Sequence, residues 1–215
     1  MQNTDWYFDY ISPFAYLQSA RLDELARHAR LTLRPVLFAA LLDAHGQLGP
    51  AEIPPKRTFI FRHALWLAHR HGIPMKLPPV HPFNPLPVLR LTLALGATPE
   101  VVKTIFEFIW REGRDVGDPN EWKQLAEIIG VEDADALIAD PDVKDSLRRS
   151  GEEAIARGVF GVPTLVADDE VFWGFDATEY FIDYVRDPQP IRAGSFEPVG
   201  QLAQGVARRR KPGNA

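Results

Sequence analysis

The stretch DYISPFAY, residues 9–16, joins a strand-like segment to a helix-like one. Just upstream, DWYFDY (residues 5–10) is short, rich in aromatic residues and bounded by polar ones, which is typical of a β-strand. Downstream, apolar residues recur at about helical spacing over residues 13–30. Pro13 suits the first position of a helix because its missing N–H would have no partner there. Ser12 then falls at the N-cap, so this stretch is predicted to be a strand-to-helix corner.

The corner has the spacing of a Cys-x-x-Cys helix start but contains no sulfur. Ser12 and Ala15 stand at the two outer positions, where cysteines would indicate a thiol–disulfide enzyme, and none of the 215 residues is Cys. Disulfides, thiolate metal sites and a redox cycle on the protein itself are therefore excluded.

Composition and charge narrow the class of protein further. With 24 Lys and Arg against 29 Asp and Glu, the net charge is -5, and we expect no nucleic-acid partner. No apolar run approaches the roughly 20 residues that span a bilayer, and the N-terminus does not resemble a signal peptide, so we expect a cytoplasmic protein without a membrane partner. His63, His69 and His71 do not share one helix face, and we expect no metal site.

The order of elements predicts an α/β fold. After LTLRPVLF (31–38), a second, parallel strand, come helical segments at 55–71, 86–95, 99–111, 121–129 and 143–157. Strand signals return at 163–167 and 170–174 as a hairpin, followed by a helix at 177–185. This is a thioredoxin-like sheet with a large all-helical insertion. We predict a discontinuous domain of residues 1–38 and 156–187, an insertion at 39–155, and a tail at 188–215.

Three residues are candidates for chemistry, and each also has an ordinary structural interpretation. Ser12 is either only an N-cap or also a hydroxyl donor to an incoming anion; without a Gly-x-Ser-x-Gly motif it is a poor nucleophile. Pro163, in GVPTL, either starts an edge strand or is the cis-proline opposite the corner of a thioredoxin-like fold. Asp176, in FWGFD, is either another N-cap or a carboxylate that pairs with a ligand ammonium.

The chain resembles the 2-hydroxychromene-2-carboxylate isomerases, which are similar to kappa-class glutathione transferases and share their DsbA-like thioredoxin fold. The resemblance spans residues 8–176. It is carried by FDYISPFAYL (8–17), PAEIPPKR (50–57), PPVHPFNP (78–85), EGRDVGDP (112–119), EEAIARGVFGVPT (152–164) and FWGFD (172–176).

The resemblance implies an isomerase that uses glutathione as a recycled cofactor and acts on an aromatic oxo-acid. Ser12 would donate to the glutathione sulfur, the Val162 backbone before cis-Pro163 would pair with the cysteinyl part, and Lys56 would face a carboxylate. Phe175 and Asp176 would hold the γ-glutamyl end, although Phe175 replaces a polar residue common there. The substrate-pocket candidates are Phe14, Asn84 and Gln47, the last at a place where the family often has Asn. A homodimer is also implied.

Simple energetics permit this role for Ser12. Lowering the pKa of a thiol by about two pH units takes roughly 2.7 kcal/mol. A hydrogen bond from Ser12 to a thiolate supplies about 1.5–3 kcal/mol, and a helix N-terminus adds roughly 0.3–1 kcal/mol. The thiolate would add to a conjugated carbon of the substrate, allow rotation and then leave. Two alternatives stay open: a kappa-like glutathione transferase, and a non-enzymatic, cysteine-free domain that binds extended peptides.

Overall fold

A single mixed sheet organises the computed structural model, which describes residues 1–192 together with residues 199, 202, 203 and 205. Its strands are β1 (Gln2–Phe8), β2 (Ala29–Pro35), β3 (Thr164–Ala167) and β4 (Glu170–Trp173). They lie in the order β2-β1-β3-β4. β1 pairs with β2 in parallel, and the other two pairings are antiparallel. The predicted strand topology is confirmed.

Helices occupy the connections between these strands. Between β1 and β2 lie α1 (Pro13–Ser19) and α2 (Leu22–His28). Between β2 and β3 lie α3 (Phe38–His45), α4 (Pro54–Arg70), α5 (Leu86–Ala94), α6 (Pro99–Phe106), α7 (Pro119–Ile129), α8 (Ala134–Ala139) and α9 (Pro141–Ala156). A 3-10 turn (Pro50–Glu52) precedes α4, and a π-helical turn (Glu107–Arg111) continues α6. After β4 come α10 (Thr178–Arg186) and α11 (Gln189–Arg192).

The helical insertion is therefore present between β2 and β3, while the exact domain limits stay a prediction. The tail predicted from residue 188 contains α11 and otherwise lies almost entirely outside the described residues. None of the helices among the described residues is long and apolar enough to cross a lipid bilayer.

Two local predictions were wrong, and two helices, α3 and α8, were not predicted. The single helix expected over 13–30 is two helices, because α1 ends at its C-cap Ala20 and α2 starts only at Leu22. The second strand runs two to three residues earlier than predicted, since the apolar run that begins at Phe38 is the helix α3 instead of a strand end. α3 has eight residues and α8 has six. Helices this short contain too few turns for the spacing of their apolar residues to reveal them in the sequence.

Alternation along β1 distributes the core over both faces of the sheet, because successive strand residues point to opposite sides. Trp6 and Phe8 belong to the larger core, stacked with their ring centres 4.6 Å apart, and Phe106 of the insertion packs against both. Tyr7 belongs to a smaller core on the other face, together with Val162 just before β3. The insertion thus shares its apolar core with the sheet.

Gln18, wholly buried in α1, joins β1 to the segment after β4. Its side-chain oxygen accepts a hydrogen bond from Trp6 Nε1 at 2.7 Å. Its amide nitrogen donates to the carbonyl oxygen of Gly174 at 3.2 Å and to the hydroxyl of Thr178 at 2.9 Å. One buried amide therefore satisfies polar groups on three elements and fixes the position of the residues between β4 and α10.

Replacing this amide should be costly. We expect Gln18→Ala to lower the free energy of unfolding by about 2–4 kcal/mol, because it leaves the Trp6 N–H unpaired and opens a cavity. Urea denaturation measures the loss. Gln124→Ala is the matched control, since Gln124 is exposed and contacts Arg114 at the surface, and it should change stability by less than about 0.5 kcal/mol. Equal losses in the two variants would contradict the role given to Gln18.

Candidate functional site

Ser12 lies where the corner between β1 and α1 meets the segment before β3. Its Oγ accepts a hydrogen bond from the Ala15 N–H at 3.2 Å, which makes it the N-cap of α1 as predicted. The same hydroxyl donates to the carbonyl oxygen of Val162 at 3.4 Å. A bond of that length is weak, so the Ser12 proton can turn to a better acceptor at little cost.

The backbone carbonyls of the corner accept three hydrogen bonds, two of them from distant parts of the chain. The Ser12 N–H donates to the carbonyl of Asp9 at 3.1 Å. Trp110 Nε1, on the π-helical turn, donates to the carbonyl of Tyr10 at 2.8 Å. His81 Nε2 donates to the carbonyl of Ile11 at 2.9 Å. Three successive carbonyls thus have fixed partners, and the position of Ser12 is set by the helical insertion as much as by the sheet.

Asp9 is a wholly buried carboxylate directly beneath this corner. One oxygen accepts the Ile11 N–H at 3.1 Å, and the other accepts the Phe38 N–H at the start of α3 at 2.8 Å. Burial raises the pKa of Asp9 to about 7 from its usual 3.8, although the N–H groups of Phe38 and Ile11 favour the charged form. The carboxyl group therefore changes charge near neutral pH while it ties the corner to α3.

The Val162–Pro163 peptide bond is cis, as the resemblance implied. Residue 162 lies just before the first ladder pair of β3, Thr164 with Tyr7. Within the described residues no hydrogen bond reaches the Val162 N–H, and its carbonyl has only the long contact with Ser12. A backbone N–H without a partner in a residue that is itself mostly buried is uncommon, and here it fits an extended, peptide-like ligand that adds alongside residue 162.

Phe175 and Asp176 sit beside this proline. The Gly174 N–H donates to the carbonyl of Pro163 at 2.9 Å. The carboxylate of Asp176 folds back over Gly174, where an added Cβ would lie 2.5 Å from its Oδ1. Asp176 is exposed and does not cap α10, whose N-cap is Ala177 without a side-chain bond. The N-cap interpretation of Asp176 was therefore wrong, and its carboxylate is free to meet a ligand.

The side chain of Phe175 is a core residue and not part of an open site. It is buried, and the ring of His71 packs edge-on against it with the ring centres 5.1 Å apart. Only its backbone could contact a ligand. The carbonyl of Phe175 is already occupied by the Thr178 hydroxyl at 2.5 Å, so the predicted contribution of Phe175 reduces to its backbone N–H and to the placement of Asp176.

The remaining predicted residues lie in separate parts of the chain. Lys56 is exposed in the first turn of α4 and has no ion pair with any described residue. Phe14 is half-buried in α1, and its ring centre lies 5.8 Å from that of His63 in α4. Asn84 is exposed and its side-chain oxygen accepts the Leu86 N–H, while Gln47 is an exposed residue after α3. The structure connects Phe14 to α4, but no contact joins Asn84 or Gln47 to Ser12.

Sequence reasoning missed Asp9, Gln18, His81 and Trp110 as supports of the site. Each acts through a partner far away in sequence, 100 residues in the case of Trp110 and Tyr10. The one local signal was Asp9, a charged residue between aromatic neighbours at the end of a buried strand.

The pKa of Asp9 makes stability depend on pH. Because the folded-state pKa is raised, the neutral carboxyl favours folding at low pH, and this contribution is lost as the pH rises from about 4 through about 7. We expect the free energy of unfolding of the wild type, relative to Asp9→Asn, to fall by on the order of 1 kcal/mol per pH unit across that window. Urea denaturation from pH 4 to 8 measures both proteins; parallel curves would exclude titration of Asp9 in this range.

Comparison with known proteins agrees with this geometry. The profile of the DSBA-like thioredoxin domain family matches residues 4–186. A 2-hydroxychromene-2-carboxylate isomerase of Sphingobium xenophagum is 32% identical over 191 residues, which are 85% of this chain and 97% of that one. Glutathione S-transferase kappa 2 of Caenorhabditis elegans is 26% identical and covers 85% of this chain and 91% of its own length.

A solved structure also matches the fold. The selenomethionine form of a 2-hydroxychromene-2-carboxylate isomerase superposes with a TM-score of 0.74 at 24% identity, covering 94% of this chain and all of that one. The predicted mixed α/β, DsbA-like thioredoxin fold with a helical insertion is confirmed. The chain belongs to the DSBA-like thioredoxin domain family, with relatives among the 2-hydroxychromene-2-carboxylate isomerases and the kappa-class glutathione transferases.

Proposed function

We propose that this protein is a glutathione-dependent isomerase of a 2-hydroxychromene-2-carboxylate-like aromatic oxo-acid. The observation that carries the proposal is the meeting of a weakly bound Ser12 hydroxyl with an unpaired Val162 N–H, in a thioredoxin-like corner that lacks cysteine. Such a corner can hold a thiol-containing peptide but has no thiol of its own. The relatives that are named isomerases and kappa-class transferases support the same assignment.

The residues around the corner fit the parts of glutathione. The unpaired Val162 N–H suits the cysteinyl backbone. The exposed carboxylate of Asp176 suits the γ-glutamyl ammonium, and the exposed Lys56 suits a carboxylate. When bound, glutathione supplies the thiolate for reversible addition to a conjugated carbon of the substrate.

Ser12 has to stabilise that thiolate almost alone. The predicted 18-residue helix behind it is only the seven-residue α1, whose N-terminus would add roughly 0.3–1 kcal/mol. The hydroxyl donor, worth about 1.5–3 kcal/mol toward a charged acceptor, covers most of the roughly 2.7 kcal/mol needed to lower a thiol pKa by two pH units. Asp9 supports this by holding Ile11 and Phe38, not by direct contact with a ligand.

Replacing Ser12 should separate binding from thiol ionisation. We expect Ser12→Ala to bind glutathione with similar affinity in isothermal titration, while the pKa of the bound thiol rises by about one to two pH units in an ultraviolet titration of thiolate absorbance. Ser19→Ala is the matched control, because Ser19 lies in the same helix and its hydroxyl donates within α1 to the carbonyl of Tyr16. An unchanged thiol pKa in Ser12→Ala would remove Ser12 from this role, and a folded wild type that does not bind glutathione would end the proposal.

Asp176 should recognise the ammonium group of glutathione. We expect Asp176→Asn to weaken glutathione binding about three- to tenfold, because one exposed ion pair is lost. The variant should bind the analogue without the γ-glutamyl amino group as well as the wild type does. Asp169→Asn, in the exposed turn between β3 and β4, should leave both affinities unchanged. Equal weakening for the two ligands would show that Asp176 does not contact the amino group.

The kappa-class relatives make glutathione transfer the second candidate. An isomerase returns each molecule of glutathione, whereas a transferase consumes one per turnover. The concentration of free thiol during turnover of an aromatic oxo-acid therefore separates the two reactions. The homodimer and the cytoplasmic location implied by the resemblance stay predictions.

A further inference from the structure

The part of the insertion that contains Arg57 is rich in cationic residues. Residues 53–99 contain six Lys or Arg residues and four of the six His residues, but no Asp or Glu, although the whole chain carries a net charge of -5. This segment runs from the start of α4 to the start of α6. Acidic partners that neutralise arginines elsewhere, such as Glu24 beside Arg21 or Asp5 beside Arg34, are absent from its sequence.

Within this segment, Arg57 is placed beside an aromatic ring and lacks an acidic partner. Its guanidinium carbon lies 5.4 Å from the centre of the Phe61 ring, one turn further along α4. No carboxylate among the described residues forms an ion pair with it. The ring attracts the cation and limits its motion, while the N–H groups at the edge of the guanidinium stay available for a planar anion.

His81 continues this surface from Arg57 to the corner. Its ring packs edge-on against Phe61 with the ring centres 4.9 Å apart, and it also lies near Trp110 at 5.9 Å. Because a carbonyl can only accept, Nε2 carries the proton donated to Ile11. Burial and the nearby Arg57 charge lower the pKa of His81, which favours the neutral ring. In the neutral ring Nδ1 carries a lone pair. This atom is buried and has no hydrogen-bond partner among the described residues.

These contacts give a short, continuous path from the cation to the reacting corner. Arg57, Phe61, His81 and Ile11 are all half-buried, so each presents part of its surface to solvent. Ile11 directly precedes Ser12. A planar ring beside Phe61 and His81, carrying a carboxylate toward Arg57, would therefore lie next to the Ser12 hydroxyl.

We infer that Arg57, resting on Phe61 beside His81, binds the carboxylate of the aromatic acid and makes the site prefer anionic over neutral aromatic ligands. This inference rests on the proposed function and names the group that selects its substrate. The other possible source of a carboxylate is glutathione. The surroundings favour the aromatic acid, because Phe61, His81 and Trp110 can pack against an aromatic ring and glutathione has none. In addition, Lys56 is available for a carboxylate of glutathione.

The test compares a charged and a neutral ligand of the same shape. In isothermal titration with 2-naphthoate and 2-naphthamide, we expect the wild type to bind the carboxylate about tenfold more tightly. Arg57→Gln, which keeps most of the apolar stem, should lose this preference, and Arg57→Lys should keep part of it because the charge stays but the planar fork is lost. Arg62→Gln is the matched control, an exposed arginine of the same helix without an acidic partner among the described residues, and it should retain the preference.

Each other outcome is informative. A wild type without preference, without binding of either probe, or an Arg57→Gln variant that keeps the preference would overturn the inference. Glutathione titrated into the same proteins separates the two carboxylate sources: its affinity should change less than about twofold in Arg57→Gln, and a tenfold loss would assign Arg57 to glutathione instead. If the wild type binds no glutathione but still prefers 2-naphthoate through Arg57, the proposed function fails while the carboxylate site stands.

Discussion

The site depends on the fixation of three successive backbone carbonyls at the end of β1. Asp9, Tyr10 and Ile11 each present a carbonyl that receives a hydrogen bond, from the Ser12 N–H, Trp110 and His81 respectively. Two of these donors come from the helical insertion. A strand that leaves a sheet is ordinarily free to vary its direction, and here that freedom is removed by side chains 70 and 100 residues away. Removing it allows a single hydroxyl to act at a defined position.

This fixation has an electrostatic consequence. The carboxyl group of Asp9 lies under the corner, and its full burial makes a negative charge there costly. The two N–H groups that it accepts, from Ile11 and Phe38, partly offset the cost and at the same time join the corner to α3. Below about pH 7 the neutral acid keeps negative charge away from the region where a thiolate would be stabilised in the proposed site, since two like charges at close range disfavour each other.

Features of the fold that depend on interactions between residues close in sequence could be predicted from the sequence, and features that depend on distant residues could not. Local signals placed the N-cap Ser12, Pro13 at the first helical position and the late hairpin, and the structure confirms each of them. The break at Ala20 and the helices α3 and α8 were missed because short helices carry little periodicity. Asp176 was given two interpretations, and only its surroundings after folding show that it caps nothing.

The residues that hold the site in place could not be predicted from local sequence patterns, because each of them acts through a hydrogen bond to a residue far away in the chain. Gln18 looks like an ordinary polar residue of an amphipathic helix, yet it is wholly buried and bonded to Trp6, Gly174 and Thr178. His81 looks like one of several histidines in a basic segment, yet its ring nitrogen holds the carbonyl beside Ser12. A pattern along the chain cannot distinguish these residues from their exposed equivalents.

Such an arrangement separates two tasks that one protein has to perform. In the proposed site, the sheet, α1 and the segment around Pro163 would hold the peptide ligand, and their polar groups are fixed by strand pairing and by Gln18. The insertion provides the basic and aromatic side of the corner, through Arg57, Phe61 and His81. Arg57 approaches the corner through Phe61 and His81, so a substitution at Arg57 would alter the aromatic side while the hydrogen bond from His81 to Ile11 stays in place. If the proposed function holds, a site divided in this way would keep its thiol ligand while its preference for the aromatic ligand changes.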